Sequence, residues 1–440
     1  MLRSIDVSGF KSLESFKLEF RNGLNVLIGP NGSGKTNILN FIEFLGHLAR
    51  HQLLEAVSRS GGAGKIFQRD SSGALGKSLN FTIRGNGQYR EYRKEETIPV
   101  FYEYSAEIFL PEKTGSLTYT KQSLKLAYQD LGTLEDWPVD IRVGASASER
   151  LDISFSKSTP RHFEDQYLPR QRSSNKVELR DAIEELINRH AVTTALYQLL
   201  ARYLTGADYL INDLYGAKSF NISPSAVRRA EDIASEPQIE EDGRGLAAVL
   251  FALTRPKQDY FEEFYGPRIE VAPDETLTKV IAYSKILNDS IVDIVVRPDA
   301  IENQLRIFLK VDHGNGALDL PFSLVSDGTA KWFTLVTAIV TSAAVFSIEE
   351  PENFLHPLMQ REIVRIVRET FHERHKNGFA VMTTHSETIL NCVDPDEMIL
   401  IHMEGGKTVA KRPSNSDDIR REINQTGFGS GYYYLAGAIE

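Results

Sequence analysis

Residues 29–36, Gly-Pro-Asn-Gly-Ser-Gly-Lys-Thr, fit the phosphate-cradling pattern G-x-x-x-x-G-K-[ST] in full. Glycines allow backbone N–H groups to converge on phosphate oxygens. Lys35 can reach the β- and γ-phosphates, and the Thr36 hydroxyl can ligate Mg2+. Asn31, Gly32, Ser33, Gly34, Lys35 and Thr36 are therefore the first candidates for phosphate contacts. Far downstream, Ala343–Glu350 is a mostly apolar run that ends in two carboxylates. At a strand end, Glu349 would stand near Mg2+ and Glu350 near an attacking water. His385 follows the apolar stretch around Val381-Met382-Thr383, where a side chain can reach a γ-phosphate at a sheet edge. Ser326-Asp327-Gly328-Thr329 opens a helical run and offers a second N-terminus for an anion. In isolation, His385 also reads as a structural hydrogen-bonder, and the Ser326 loop as a plain N-cap.

These residues need particular elements to hold them. Arg3–Ser8 and Phe16–Phe20 alternate, and Leu24–Ile28 is a near-continuous apolar run suited to a buried strand. Asn22-Gly23 reads as a hairpin turn between the last two. The glycine loop follows, and then Asn37–Leu48 carries apolar residues with a helical period. Strand-like runs at Leu79–Ile83, Pro99–Leu110 and Leu117–Leu126 predict an antiparallel β region. Residues 157–176 are polar and read as mobile. Helical patterns cover Val177–Leu204 and Gly245–Leu253, and strands return at Ile291–Arg297 and Leu305–Val311. The last third alternates: helix Ala330–Ala344, strand Val345–Ile348, helix Leu358–His375, strand Phe379–Thr383, helix Glu387–Val393, strand Met398–His402. Such alternation predicts an α/β core with a parallel sheet.

Composition narrows the class. With 50 Lys+Arg against 60 Asp+Glu, the 440-residue chain carries a formal charge of −10. Any nucleic-acid contact must then come from a local patch. Cys392 is the single cysteine, which excludes a disulfide framework and a cysteine zinc site and suits a reducing compartment. No signal-peptide core opens the chain, and the longest apolar stretch, Thr334–Ile348, is too short and interrupted to span a membrane. The expectation is a cytoplasmic protein without membrane association.

In this order, the four motifs resemble ABC-type ATPases of the branch containing RecF, the SMC proteins and the OLD-type ATPases. Gly29–Thr36 corresponds to Walker A, and Ser326–Thr329 is similar to the signature loop. Ile348-Glu349-Glu350-Pro351-Glu352-Asn353 is similar to Walker B running into the D-loop, with Leu355-His356-Pro357 after it. His385 falls at the switch histidine, and Phe10-Lys11-Ser12-Leu13 also fits the branch. The resemblance covers about 1–70 and 320–405. It implies an α/β, ABC-type P-loop ATPase head: a mixed β-sheet flanked by helices, with an antiparallel β region and an inserted helical lid. The expected domains are an ATPase lobe over 1–155, a lid over 156–265 and a second lobe over 266–440. It further implies ATP and Mg2+, low-turnover hydrolysis, and a homo-oligomer of head-to-tail ATP-sandwich dimers. Each nucleotide would lie between one Walker A and the partner's Ser326 and Gly328. Glu350 would polarise water, His385 would sense the γ-phosphate, and Thr36, Glu349 and a Q-loop candidate, Gln68, would serve the metal. Glu349 replaces the usual Walker B aspartate.

Absences refine the branch. The chain has no CxxC hook and no long heptad arm, and only 55 residues follow His385, too few for a C-terminal nuclease of the OLD type. The chain thus resembles stand-alone ATPase subunits of prokaryotic anti-phage defence systems, with a separately encoded effector, a nuclease. A RecF-like DNA-repair protein is the alternative, and the sequence leaves nucleic-acid binding open. Tyr89–Lys94 interleaves aromatics with bases, suiting stacking or a hairpin tip. Arg361, Arg365 and Arg368 share a helix face among glutamates and read as a salt-bridged surface. Arg161, Arg170, Arg172 and Lys176 could meet a partner. The tyrosine-rich tail, Gly427–Gly437, is either docked on the body or offered to a partner.

Overall fold

The computed structural model describes residues 1–439 except 71, 92–95, 112–115, 129–136, 145–150, 156–175, 255–272, 315 and 374–376. Arg161, Arg170 and Arg172, and Tyr92, Arg93 and Lys94, lie outside the described residues, as does most of the stretch expected to be mobile. The chain divides into two compact units: Met1–Arg21, Gly29–Ala217 and Ile401–Lys411 form the first, and Asn22–Ile28, Lys218–Leu400 and Arg412–Glu440 the second.

The first unit is built on a seven-stranded antiparallel sheet. Its strand order is Phe16–Glu19, Leu2–Ser8, Ser78–Glu91, Glu96–Phe109, Thr118–Ala127, Val139–Gly144, Asp152–Phe155. The antiparallel β region expected after residue 78 is therefore present. One face of each long strand is apolar at every second residue (Leu79, Phe81, Ile83; Tyr102, Tyr104, Ala106, Ile108), and that face is buried. The helix Lys35–Arg50 inserts Phe41 and Phe44 there, edge-on or tilted against Phe10 and Phe81. The helices Leu196–Leu200 and Thr205–Tyr215 also pack on this unit, with Tyr197 edge-on to Tyr104 at 4.8 Å.

The second unit holds a parallel array. Gly23–Ile28 lies between Met398–Leu400 and Phe379–Thr383; beyond the latter come Val345–Glu349 and the short strand Ser219–Phe220. These strands are apolar on both faces, as a sheet covered by helices requires; Phe379–Thr383 is buried throughout. Asp327–Thr341, Leu246–Leu253 and Pro357–Glu373 supply the covering helices, and a second, antiparallel sheet joins Ile291–Asp299, Gln304–Asp312 and Ala317–Pro321.

Two sequence readings change here. Asn22-Gly23 is not a hairpin turn: Phe16–Glu19 pairs with Leu2–Ser8, whereas Gly23–Ile28 enters the parallel array. The apolar pattern explains why, since Leu24, Val26, Leu27 and Ile28 are all buried and a half-solvated hairpin strand could not cover them. The tail Gly427–Gly437 is docked within the second unit. It forms the helix Ser430–Leu435, with Tyr433 buried and its hydroxyl 2.7 Å from Oγ1 of Thr426, which ends the preceding helix Ser416–Thr426. Ser430 Oγ donates to the Val393 carbonyl at 2.8 Å. Tyr432 remains half-exposed, stacked on Phe428 at 4.4 Å. The arginine helix carries the salt-bridged surface it predicts: Arg365 pairs with Glu362 and Glu369, and Arg368 with Glu397.

Candidate functional site: a P-loop and a carboxylate–histidine edge

Within the first unit, the P-loop is shaped by glycine and braced from behind. Gly32 and Gly34 have φ of +77° and +98°. At Gly34 a Cβ would stand 1.9 Å from Thr408 Oγ1, so glycine is demanded twice, by conformation and by contact. Thr408 Oγ1 donates to the Ser33 carbonyl at 3.2 Å and lies 2.6 Å from Ser12 Oγ, which accepts from Asn37 Nδ2 at 2.7 Å. Ser12 belongs to the Phe10–Leu13 opening, so that motif buttresses the loop. Lys35 is buried, and Nζ donates to the carbonyls of Gly29 and Pro30 at 2.8 and 3.1 Å. Ser33 Oγ is buried without a hydrogen-bond partner. The first turn of Lys35–Arg50 carries no acidic residue, leaving the positive helix end to an anion. A convergent loop, an orphan hydroxyl and an unopposed helix end fit a polyphosphate. Asn31, Gly32 and Thr36 are solvent-exposed on this loop. Gln68 lies in the same unit, half-buried, with its backbone N–H donating to the Gly9 carbonyl at 2.9 Å.

The second unit gathers the carboxylates, the histidine and the signature-type loop. Glu349 ends its strand, and Asn221 Nδ2 donates to its Oε2 at 3.0 Å. Glu350 follows with φ +41°, a left-handed backbone that a non-glycine residue adopts at a cost of about 1–3 kcal/mol. It is held from both sides: its N–H donates to Thr383 O and Oγ1 at 3.1 and 3.2 Å, and its carbonyl accepts from Lys331 Nζ at 3.1 Å. Its Oε2 accepts from Asn353 Nδ2 at 3.1 Å, and its Oε1 lies 3.9 Å from His385 Nε2. The Glu350 and His385 side chains are 40% and 39% exposed, so both are open to a ligand. Glu352 Oε1 accepts from the His385 N–H at 2.7 Å and from Thr384 Oγ1 at 2.9 Å, while Oε2 is buried and unpaired.

Ser326 caps the helix Asp327–Thr341 by accepting from the Thr329 N–H. Arg228 grips the loop, with Nη1 2.6 Å from Asp327 Oδ1 and Nη2 donating to the Val325 carbonyl at 2.7 Å. Gly328 abuts the turn after Glu350; a Cβ there would meet the Phe354 carbonyl at 2.7 Å. Lys331, on the next turn, is buried. Desolvation pushes its ammonium down to about 8, while the carboxylates of Glu352 and Glu350 oppose the shift.

The second unit thus holds Glu349, Glu350, His385, Ser326 and Gly328, with Glu350 and His385 side by side, and the first holds Asn31–Thr36 and Gln68. Sequence reading had not singled out Lys331, Asn221, Arg228, Thr408 or the Glu352 carboxylate. Only Lys331 carried a signal, a lone charge between Ala330 and Trp332-Phe333 in an apolar helix. Among the described residues, no cluster of three or more His, Cys, Asp or Glu could hold a metal unaided.

The first unit carries a glycine-rich P-loop, and the second carries paired carboxylates and a histidine at the ends of neighbouring parallel strands. The family model described as "AAA domain, putative AbiEii toxin, Type IV TA system" matches residues 24–391, and the chain belongs to that family. Local likeness runs to the DNA replication and repair protein RecF of Yersinia enterocolitica, 37% identical over 83 residues, covering 16% of this chain and 22% of that protein. RecF of Teredinibacter turnerae is 28% identical over 128 residues, 26% of this chain and 34% of that protein. The DNA double-strand break repair Rad50 ATPase of Methanopyrus kandleri is 45% identical over 42 residues, 10% and 5%. These matches cover well under two thirds of the relatives' length. Among solved structures, an SMC head bound to the C-winged helix domain of ScpA aligns over 93% of this chain and 97% of that one, at 13% identity and a TM-score of 0.49.

Proposed function

We propose that the chain binds ATP·Mg2+ and hydrolyses it slowly. It would do so as the sensing and gating subunit of a cytoplasmic anti-phage defence complex whose effector, a nuclease, is a separate polypeptide. One observation supports the ATP part above the others. Register sets Leu27 opposite Thr383 and Thr383 opposite Glu349, so three parallel strands end level. Within the second unit, the chain leaving two of them is Thr384-His385 and Glu350, side by side at the C-terminal edge where parallel sheets bind ligands, and the third strand runs on in sequence to the glycine-rich loop.

In this reading, Asn31–Lys35 cradle the phosphates, and Thr36 and Glu349, with Gln68, are the donors for Mg2+. When bound, Mg2+ would screen charge building on the phosphoryl oxygens. Glu350 orients and polarises the attacking water, and His385 senses the γ-phosphate. Ser326 and Gly328 close on the nucleotide of a second copy, head to tail. The longer Glu349, where an aspartate is usual, favours a low rate. The defence role draws on the likeness to stand-alone defence ATPases and on the family's description as a putative toxin.

The test is the Glu350→Gln protein, purified from its native host with ATP·Mg2+. It should retain ATP while turnover stalls; unchanged turnover would remove Glu350 from its role. A stoichiometric nuclease-like protein in the preparation supports the gated-effector reading. Bound DNA without a protein partner favours a RecF-like repair role instead, which the local RecF similarity keeps in view; such binding should weaken steeply with salt.

A further inference from the structure

Lys331 is the fifth residue of the helix that Ser326 opens and caps, and every residue from Ala330 to Thr341 on that helix is buried. Its own exposure is 1%. Burying an ammonium is costly unless it is partnered, and a neutral side chain would fill this apolar position at lower cost. What the ammonium reaches is specific. Nζ donates to the carbonyl of Glu350 at 3.1 Å and lies 5.9 Å from the centroid of the Phe354 ring. Phe354 also has positive φ, +67°, and its carbonyl is the group that Gly328 must approach.

The bond matters because of where Glu350 sits in conformational space. A residue held at φ +41° relaxes unless both flanking peptides are pinned. Thr383 pins the peptide before Glu350, through its carbonyl and hydroxyl oxygens. Lys331 pins the one after it at 3.1 Å, and the Asn353 N–H donates to the same carbonyl at a longer 3.3 Å. With both fixed, the Cα–Cβ direction is fixed, and the carboxylate is left to Asn353 and His385.

We propose that Lys331 is a positioning residue for Glu350. By holding the Glu350 carbonyl it maintains the left-handed backbone that aims the carboxylate, and it makes the helix behind the Ser326–Gly328 loop the element that sets the aim. A displacement of that loop is transmitted along one helical turn to the water-polarising group. The inference rests on the reading of Glu350 given above.

The test compares Lys331→Met and Lys331→Arg with the unaltered chain, in kcat, KM and affinity for a fluorescent ATP analogue. Each change is also made in the Glu350→Gln background. Lys331→Met should lower kcat about 10–100-fold, the scale of a misplaced reacting group, with KM and nucleotide affinity within about twofold. Lys331→Arg should recover part of kcat by restoring a charged donor. In the Glu350→Gln background Lys331→Met should cost nothing further, because the group it aims is already disabled; a purely structural lysine would lower activity in both backgrounds. Should the methionine variant not fold, Lys331→Gln carries the same expectation, its donor being too short to reach. Unchanged kcat, a parallel loss of nucleotide affinity, or an equal loss in both backgrounds overturns the proposal. If the unaltered chain itself does not turn over ATP, the ATPase reading fails and this inference falls with it. If it turns over and Lys331→Met matches it, the inference alone falls.

Discussion

Lys35 and Glu350 are the two residues on which the proposed chemistry turns, and each is held by backbone groups. Lys35 Nζ already rests on the carbonyls of Gly29 and Pro30, at the mouth of its own loop. Charge-assisted hydrogen bonds contribute about 1.5–3 kcal/mol, so Lys35→Ala should weaken ATP binding by about 10–100-fold. Near-unchanged affinity in a nucleotide titration would sink the Walker A reading. Glu350→Gln keeps the side-chain volume and removes the charge. Hydrolysis should then fall by about 100-fold or more with ATP still bound, as single-turnover kinetics would report. At this scale, the sequence speaks where function depends on spacing along the chain. Gly29–Thr36 is contiguous, so its pattern is complete in one dimension. Lys331 and Glu352 act on Glu350 and His385 through contacts created only by folding, and no local pattern encodes that.

Elements with one strong periodicity were legible. The continuous apolar run Phe379–Thr383 and the helix Lys35–Arg50 stand where the pattern puts them, to within a residue or two. Pairing was less legible, because a turn dipeptide such as Asn22-Gly23 carries local information and the partner of Gly23–Ile28 lies over three hundred residues away. The tail, too, needed its docking site to be visible. Arg420, on the helix Ser416–Thr426, bonds Asp394 and Asp396 at 2.8 and 2.7 Å. Its guanidinium holds the Asp394 carboxyl below the usual aspartate range. A depressed carboxylate contributes stability that is full above its unfolded value, about pH 4, and lost as pH falls through the folded value. The helix Ser416–Thr426, and the tail that follows it, should therefore lose hydrogen-exchange protection, corrected for intrinsic rates, between about pH 5 and 3. Asp394→Asn should flatten that dependence. A wild-type profile already flat across the same range would show that the ion pair does not hold the tail.

For the whole molecule, the proposed mechanism needs two copies, since Ser326 and Gly328 are assigned to a partner's nucleotide. Light scattering on Glu350→Gln should show the mass doubling, or rising to a multiple of two, when ATP·Mg2+ is added, and reverting with ADP. A mass indifferent to ATP would remove the sandwich dimer. The strand Gly23–Ile28 has a consequence of another kind. It leaves the ribosome over three hundred residues before its neighbours on both sides, Phe379–Thr383 and Met398–Leu400. Until they arrive, Leu24, Val26, Leu27 and Ile28 have no sheet to enter, and parallel pairing at such separation is slow to nucleate. Synthesis therefore holds an apolar strand open for over three hundred residues, and a nascent chain interrupted before residue 379 presents chaperones and proteases with a ready target. The glycine-rich loop that follows that strand can mature only once Phe379–Leu400 have been made, which ties its readiness to a segment synthesised far later.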